Sequence, residues 1–262
     1  MTINYVYKYN KDGFVVIKNI LNKKKIREYL IELDRLSKIL IKSYKPPYVN
    51  LTIDKKVNTA HNLDKIFPRS KFIKITKIKI LNEILEKIFN EKPILRNLEI
   101  FAKPGKTGMR APFHQDNYYW NIKNKKAVNI WISLDKVDKT NGGLIYLKGS
   151  HKLGLVNHSL SNVPGSSQEI KLNKLNLKKF KSVSPKLEPG DCIIHNCEVI
   201  HGSNENITNR KRRAVVVSFK SKSSEVDNKK MKNYLKKLNT KIKLTKKYLK
   251  EQKRLEKVSS VL

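Results

Sequence analysis

Ala127-Val128-Asn129-Ile130-Trp131-Ile132-Ser133-Leu134-Asp135 is the stretch that decides the fold. Val128, Ile130, Ile132 and Leu134 alternate with Asn129, Trp131, Ser133 and Asp135. Successive side chains of a strand point to opposite faces, so one face here is apolar and the other is polar around a single indole. The polar face suits solvent or the lining of a cavity equally well. Short segments of similar character recur at 95–102, 112–117, 143–147, 191–195, 199–203 and 212–220, separated by Gly, Pro or Asn. Regularly spaced short strands with that punctuation predict an antiparallel barrel or sandwich.

Toward the N-terminus, Gly13-Phe14-Val15-Val16-Ile17 predicts a short strand after a Lys11-Asp12-Gly13 turn. Asn22 is the predicted N-cap of an amphipathic helix running to about Leu40, with Ile26, Leu30, Leu33, Ile39 and Leu40 as its apolar stripe. A second helix is predicted over 78–90, with Ile80, Ile84 and Ile88 on one side. Residues 46–72, which hold Pro46-Pro47 and Pro68, predict loop with little regular structure. Residues 148–186, with Pro164-Gly165-Ser166-Ser167 in the middle, predict a long insertion of low order, for which a lid and a floppy surface loop both fit. The expected organisation is a main domain over 1–221 and a lysine-rich extension over 222–262. The extension holds 14 Lys/Arg and 4 Asp/Glu, with Met231, Leu235, Leu238, Ile242, Leu249 and Leu255 as a loose helical stripe. A helix packed on the main domain is the first expectation for it, ahead of a partner-binding tail or an anionic membrane surface.

The chain has 262 residues, 39% of them hydrophobic, enough for one sizeable core. That composition excludes collagen, a wholly disordered chain and a disulfide mini-protein. No run approaches eighteen apolar residues, and the start Met1-Thr2-Ile3-Asn4-Tyr5 lacks the apolar core of a secretion signal, so a cytoplasmic location with no spanning helix is expected. Cys192 and Cys197 are expected as two buried thiols. Lys+Arg number 57 against 22 Asp+Glu, a formal +35. Nearly all of the surplus is lysine spread along the chain, with Arg at nine positions. Base readers use arginine forks, and Lys, Asn and Ile share AT-rich codons, so a nucleic-acid partner is not expected. The charge would still favour encounter with anionic small molecules.

The chemical signal lies between residues 112 and 214. His114-Gln115-Asp116 puts an imidazole and a carboxylate two apart at a predicted strand, where both point the same way. A third ligand must come from elsewhere. His201, in Val199-Ile200-His201-Gly202-Ser203, is the best candidate, and His195 is the alternative, better suited to a supporting role. Two His and one carboxylate on one face of a metal leave three positions open, which suits Fe(II) with a bidentate cosubstrate and O2. His151 could face a substrate or sit on a surface loop. His61 and His158 are expected at the surface.

The sequence resembles the phytanoyl-CoA dioxygenase family of Fe(II)/2-oxoglutarate-dependent oxygenases. The resemblance is carried by Asp12-Gly13-Phe14-Val15-Val16, Phe113-His114-Gln115-Asp116, Asn129-Ile130-Trp131-Ile132-Ser133-Leu134 and Asn141-Gly142-Gly143-Leu144. Further on it continues through Gly149-Ser150-His151-Lys152-Leu153-Gly154, Pro189-Gly190-Asp191 and His201-Gly202-Ser203 to Arg212-Arg213-Ala214, so that it spans roughly 8–220. Lys148 stands where Pro usually precedes the loop glycine. The resemblance implies an α+β, mostly β fold: a double-stranded β-helix (jelly-roll or cupin-like) barrel with N-terminal helices packed on one sheet and a basic C-terminal helix.

Carried over position by position, the resemblance implies iron on His114, Asp116 and His201, and the far carboxylate of the cosubstrate 2-oxoglutarate on Arg212. Gln115 and Trp131 then fall near the cosubstrate, Ser203 helps to hold its carboxylate, and Arg213 faces the opposite side. The implied reaction uses O2 to hydroxylate an unactivated C–H of a small organic substrate and releases succinate and CO2. A carboxylate at 116 favours hydroxylation over halogenation. Three rivals stay open at this point: a catalytically silent basic barrel that binds nucleic acid, an oxygenase acting on a macromolecule, and a metal hydrolase using the same ligands.

Overall fold

The computed structural model describes residues 2–44, 48–163, 166–171, 179–240 and 242. Its strands are β1 (Phe14–Ile17), β2 (Val49–Leu51), β3 (Val57–Ala60), β4 (Pro93–Lys103), β5 (Ala111–His114), β6 (Ala127–Ser133) and β7 (Leu144–Leu147). They continue through β8 (Ser159–Leu160), β9 (Gln168–Glu169), β10 (Ser182–Val183), β11 (Cys192–Asn196), β12 (His201–Ser203) and β13 (Arg212–Ser221). Seven strands form one sheet in the order β1-β11-β6-β13-β4-β3-β2, and four form a second in the order β10-β7-β12-β5. Neighbours in both are antiparallel. This is the jelly-roll order of a double-stranded β-helix, with two separate sheets rather than a closed barrel.

The larger sheet separates two environments. Its outer face carries Val128, Ile130, Ile132, Leu98, Ile100, Val215, Val217 and Ile194, all fully buried. They pack against α2 (Lys23–Ser43) and α4 (Lys79–Phe89) through Ile26, Tyr29, Leu33, Leu36, Leu40, Leu81, Ile84, Leu85 and Phe89. Asn22 caps α2 as expected, its Oδ1 accepting from the Lys25 N–H at 2.9 Å. The inner face holds a smaller apolar cluster, including Phe14, Trp131, Tyr146, Val199 and Val216, and beyond it the polar residues of the site. The polar face of the 127–135 segment therefore lines a cavity: Asn129 is 6% exposed and Ser133 fully buried.

Several expectations are corrected. The chain begins with a helix, α1 (Thr2–Asp12), whose polar composition conceals an amphipathic face anchored by Tyr9. Residues 46–72 are not structureless: β2 and β3 extend the large sheet, and α3 (Leu63–Ile66) and a 3₁₀ turn over Lys71–Lys77 follow. Pro46 and Pro47 lie outside the described residues. Their neighbours acquire strand form because β3 finds an edge on β4, a partner remote in sequence. The described residues of the 148–186 insertion include packed ones. Ile170 is buried with Leu147 and Ile200, and the Ile170 N–H donates to the Phe113 carbonyl at 2.7 Å. Pro164 and Gly165 lie outside the described residues, as do Leu249 and Leu255 of the C-terminal stripe. Residues 228–240 are helical, but Leu235 and Ile242 are exposed, and Tyr234 and Lys237 make contacts with the main body. Both cysteines are buried and free. Among the described residues no helix is long and apolar enough to cross a membrane.

Two turns place the strands that matter. The Asp191 carboxylate accepts from the backbone N–H groups of Asn19 and Glu188 and from Lys18, joining the chain after β1 to the turn before β11. Gly190 has φ +92°, and a Cβ there would stand 2.4 Å from the Leu21 carbonyl oxygen, so only glycine fits.

Leu36 is fully buried between α2 and the sheet, whereas Ile31 on the same helix is 66% exposed. Urea denaturation of Leu36→Ala is expected to show a loss of about 2–5 kcal/mol, and Ile31→Ala a change within about 0.5 kcal/mol.

Candidate metal centre

β5 and β12 run side by side and set His114 directly opposite His201, with ring centroids 4.3 Å apart. The strands approach closely because residue 202 is glycine: a Cβ there would meet the Ala111 carbonyl at 2.9 Å and the Phe113 nitrogen at 3.1 Å. Each imidazole is aimed by a backbone carbonyl two residues earlier. His114 Nδ1 lies 2.7 Å from the Pro112 oxygen, and His201 Nδ1 lies 3.0 Å from the Val199 oxygen. A carbonyl only accepts, so Nδ1 carries the proton in both rings and each Nε2 keeps its lone pair.

Asp116 reaches the same point by a different route from the one expected. The strand ends at His114, and Asp116 has helical backbone (φ −60°, ψ −36°) at the start of α5 (Asn117–Trp120). The turn, not strand alternation, swings its carboxylate back. Oδ1 then lies 3.5 Å from His114 Nε2 and 3.8 Å from His201 Nε2. Oδ2 is tied down: it accepts from Asn129 Nδ2 at 2.6 Å and from His195 Nε2 at 3.0 Å. Asn129 Oδ1 accepts in turn from the Ser218 hydroxyl at 2.5 Å, and His195 Nδ1 accepts from the Tyr146 hydroxyl at 2.9 Å. One carboxylate oxygen is thus anchored and the other is presented to the imidazoles.

The three ligand atoms lie within 4.8 Å of one another and could hold a metal ion. Burial alone would raise the Asp116 carboxyl, but the nearby imidazoles of His201, His114 and His195 outweigh it and hold the group well below the usual carboxylate range. Burial, reinforced by His114, pulls His201 down to about 3. An ionised carboxylate and a neutral imidazole are the forms that donate to metals.

Beside this cluster stand two buried cations. Arg212 opens β13 and faces Lys103, the last residue of β4, across the ladder. They are 2% and 3% exposed. The Arg212 guanidinium lies over the Trp131 ring, 5.3 Å from its centroid. Its Nε has no hydrogen-bond partner among the described residues, and Nη1 makes a long bond, 3.4 Å to the Phe101 carbonyl. Lys103 Nζ donates to Ser203 Oγ at 2.6 Å and to the Asn204 carbonyl. Burial, and then the neighbouring Arg212, pull Lys103 well below the ordinary lysine range, and burial brings Arg212 down to about 9. Arg213, on the other face as expected, is not a solvated surface charge. Its fork grips Asp135 at 2.9 and 2.7 Å.

His114, Asp116 and His201 are therefore brought together, with Trp131 and Ser203 alongside Arg212 and Lys103. Gln115 is engaged by backbone. Its amide donates to the carbonyls of Gly154 and Glu198 at 2.7 and 2.6 Å and accepts from the Val156 N–H at 2.8 Å, which joins the turn after β5 to the insertion and to the segment after β11. His195 supports Asp116 and lies outside the three-atom cluster. His151 packs under Gly13 and meets the Asn10 carbonyl at 3.1 Å. His158, expected at the surface, is 7% exposed, accepts the Gln115 N–H at 3.0 Å and stacks on Tyr118. His61 is bound to Glu99. Lys103 and Tyr146 were invisible beforehand: one lysine among so many carries no signal, and only strand register brings it to Arg212. Tyr119 stands edge-on to His114 at 5.7 Å, and Tyr234 of the C-terminal helix meets Tyr119 at 5.7 Å, so the extension reaches the rim of the site.

The family model described as phytanoyl-CoA dioxygenase (PhyH) matches residues 9–214. The peroxisomal phytanoyl-CoA dioxygenase of Rattus norvegicus is 27% identical over 238 residues, covering 81% of this chain and 66% of the relative, just under two thirds of its length. The ectoine dioxygenase of Streptomyces coelicolor is 22% identical over 245 residues, covering 81% of this chain and 75% of that one. Among solved structures, EctD from S. alaskensis with bound Fe superposes with a TM-score of 0.72 at 16% identity, covering 87% of this chain and 79% of that chain. The epimerase SnoN in complex with Fe3+, alpha ketoglutarate and nogalamycin RO gives 0.68 at 17% identity, covering 86% and 85%. These structural likenesses are likenesses of fold.

Asn129→Ala removes one of the two bonds that orient Asp116. Calorimetric titration with Mn2+ is expected to show affinity weakened about 10–100-fold while the fold is retained.

Proposed function

Because the chain belongs to the phytanoyl-CoA dioxygenase family, we propose that it is an Fe(II)- and 2-oxoglutarate-dependent dioxygenase that hydroxylates a C–H bond of a small organic molecule. One observation carries this reading. A facial set of two imidazole nitrogens and one carboxylate oxygen stands beside a buried guanidinium whose Nε has no partner among the described residues. The donor set suits Fe(II) with positions left for a chelating cosubstrate and O2. The buried guanidinium suits the far carboxylate of 2-oxoglutarate, because its planar fork matches a carboxylate through two parallel charge-assisted bonds.

The chain's own residues then divide the work. His114, Asp116 and His201 hold the metal, and the bonds from Asn129 and His195 keep Asp116 Oδ2 engaged so that Oδ1 alone is offered. Arg212 neutralises the distal carboxylate, with Trp131 keeping the guanidinium in plane. Ser203 Oγ already accepts from Lys103, so its hydroxyl proton is left to donate to that carboxylate. Lys103 is a second cation on the same anion. The apolar inner cluster of Phe14, Tyr146, Val199 and Val216 limits water. With iron and 2-oxoglutarate bound, the site supplies oxidative decarboxylation to succinate and CO2, with the second oxygen atom of O2 going to the substrate. Residues 1–221 are the catalytic unit in this reading, and 222–262 an extension whose Tyr234 borders its mouth. The reading of a silent nucleic-acid-binding barrel is disfavoured, because an intact ligand set beside a buried Arg212 is a feature that surface binding of a polyanion does not need.

The test is anaerobic mixing of the protein with Fe(II) and 2-oxoglutarate, followed by admission of O2 with ascorbate. A visible charge-transfer absorption and then succinate are expected from the wild type, and neither from His114→Ala. Arg212→Gln is expected to weaken 2-oxoglutarate binding about 10–100-fold, the worth of one or two hydrogen bonds to a charged group. A lysine whose pKa is depressed loses its charge at a lower pH than an ordinary lysine. Affinity for 2-oxoglutarate should therefore fall as pH rises, and Lys103→Met should flatten that slope. An unchanged slope in the variant removes Lys103 from the clamp.

A further inference from the structure

β4 carries a second set of charged side chains toward the site, and the cosubstrate clamp does not use them. Strand alternation puts Asn97, Glu99, Phe101 and Lys103 on the inner face, since Leu98, Ile100 and Ala102 belong to the outer core. Asn97 lies in register with Ser218, and Ser218 with Asn129, the residue that anchors Asp116. Glu99 is one inner-face position further along, in register with Val216 and through it with Trp131.

Regular alternation would turn Arg96 outward, but the ladder is bulged at this point. Ser218 pairs with Asn97 and Phe219 with Leu95, leaving Arg96 as the extra residue. A bulge re-aims the side chain it inserts. The Arg96 guanidinium lies 4.3 Å from the centroid of the Trp120 ring, at the end of the turn that Asp116 begins. Its nearest charges include Glu99 and Asp116, and burial lowers its pKa, as expected for a cation drawn in from solvent. Among the described residues Glu99 is held by one oxygen, which accepts from His61 Nδ1 at 2.5 Å. His61 is itself fixed: its ring stands edge-on to Phe101 at 5.8 Å, and the following Asn62, at φ 58°, donates its N–H to Asn97 Oδ1 at 3.1 Å. A guanidinium steadied on an indole and a carboxylate steadied by an imidazole therefore flank the row that anchors the Asp116 ligand. Arg96 and Lys103 are seven residues apart on one strand, about 20 Å. A substrate held at one end and a cosubstrate carboxylate held at the other do not compete.

We propose that Arg96 and Glu99, with His61 positioning Glu99, form the substrate-recognition subsite, and that its substrate is a small zwitterion whose carboxylate meets Arg96 and whose amine meets Glu99. The proposal rests on the oxygenase reading of the neighbouring site. A two-pronged guanidinium matches a carboxylate, and a carboxylate oxygen free of other donors matches an ammonium. An acyl thioester of coenzyme A offers no cation for Glu99.

The experiment uses the full chain with Fe(II), ascorbate and 2-oxoglutarate. Succinate formation is measured with a panel of free α-, β- and ω-amino acids, with their N-acetyl and carboxamide forms, and with acyl-CoA thioesters. At least one free amino acid is expected to stimulate turnover, and both of its masked forms are expected to fail. Arg96→Gln and Glu99→Gln are each expected to raise the KM for that amino acid about tenfold or more, while the anaerobic Fe(II)–2-oxoglutarate absorption persists. His61→Gln, which keeps a donor for Glu99, should retain more of the wild-type KM than His61→Leu. Stimulation by acyl-CoA alone, equal stimulation by masked forms, no response to any free amino acid, or an unmoved KM in the variants overturns the subsite alone, provided the absorption is present. Absence of that absorption from the wild type overturns the oxygenase reading and the subsite with it.

Discussion

The buried carboxylate of Asp116 is the constraint around which the inner half of this molecule is organised. A charge removed from water is strongly unfavourable unless it is paired and hydrogen-bonded. Here Asn129 and His195 satisfy one oxygen, and each is satisfied in turn by Ser218 or Tyr146. Five residues from β6, β7, β11, β13 and the turn after β5 are thereby locked into one network, so the position of the other oxygen is set by four strands at once. Any metal bound there meets a ligand whose geometry is already fixed, which is what preorganisation requires.

The outer half solves a different problem. The large sheet must cover its second face, and α2 and α4 do so with aliphatic side chains. That face supplies most of the hydrophobic stabilisation and leaves the inner face free to hold polar residues at some cost. The β4 bulge, the glycine at 202 and the left-handed Asn62 all fall where the two sheets, or the sheet and its added edge strands, approach the site. Local irregularity is concentrated where side chains have to be aimed.

Arg212 and Lys103 illustrate how burial converts surface-type residues into specific ones. In a chain with a formal +35, most lysines are solvated and interchangeable. Lys103 differs because its neighbours across the ladder are a guanidinium and a serine rather than water. Two cations side by side inside a protein are unfavourable without an anion nearby, which is why the proposed clamp is read as a place that receives one.

Much of the fold was legible in the residues. Alternation in 127–135, the Asn22 cap, the 78–90 helix and the spaced short strands describe local preferences, and local preferences hold when the core agrees with them. The convergence of residues 114, 116 and 201 could be anticipated from motif order, and the place of Arg212 from the family resemblance. Tertiary structure decided the rest. Val49–Leu51 and Val57–Ala60 became strands because β4 offered β3 an edge, and Gln115 was claimed by the backbone of Gly154, Val156 and Glu198. Asp116 arrived through a helical turn. Lys103, Arg96 and Glu99 acquired their surroundings from register and a one-residue bulge. Periodicity along a chain reports which face a side chain takes, but which strand lies beside it is set by pairings a hundred residues distant, and those follow from the packing of the whole.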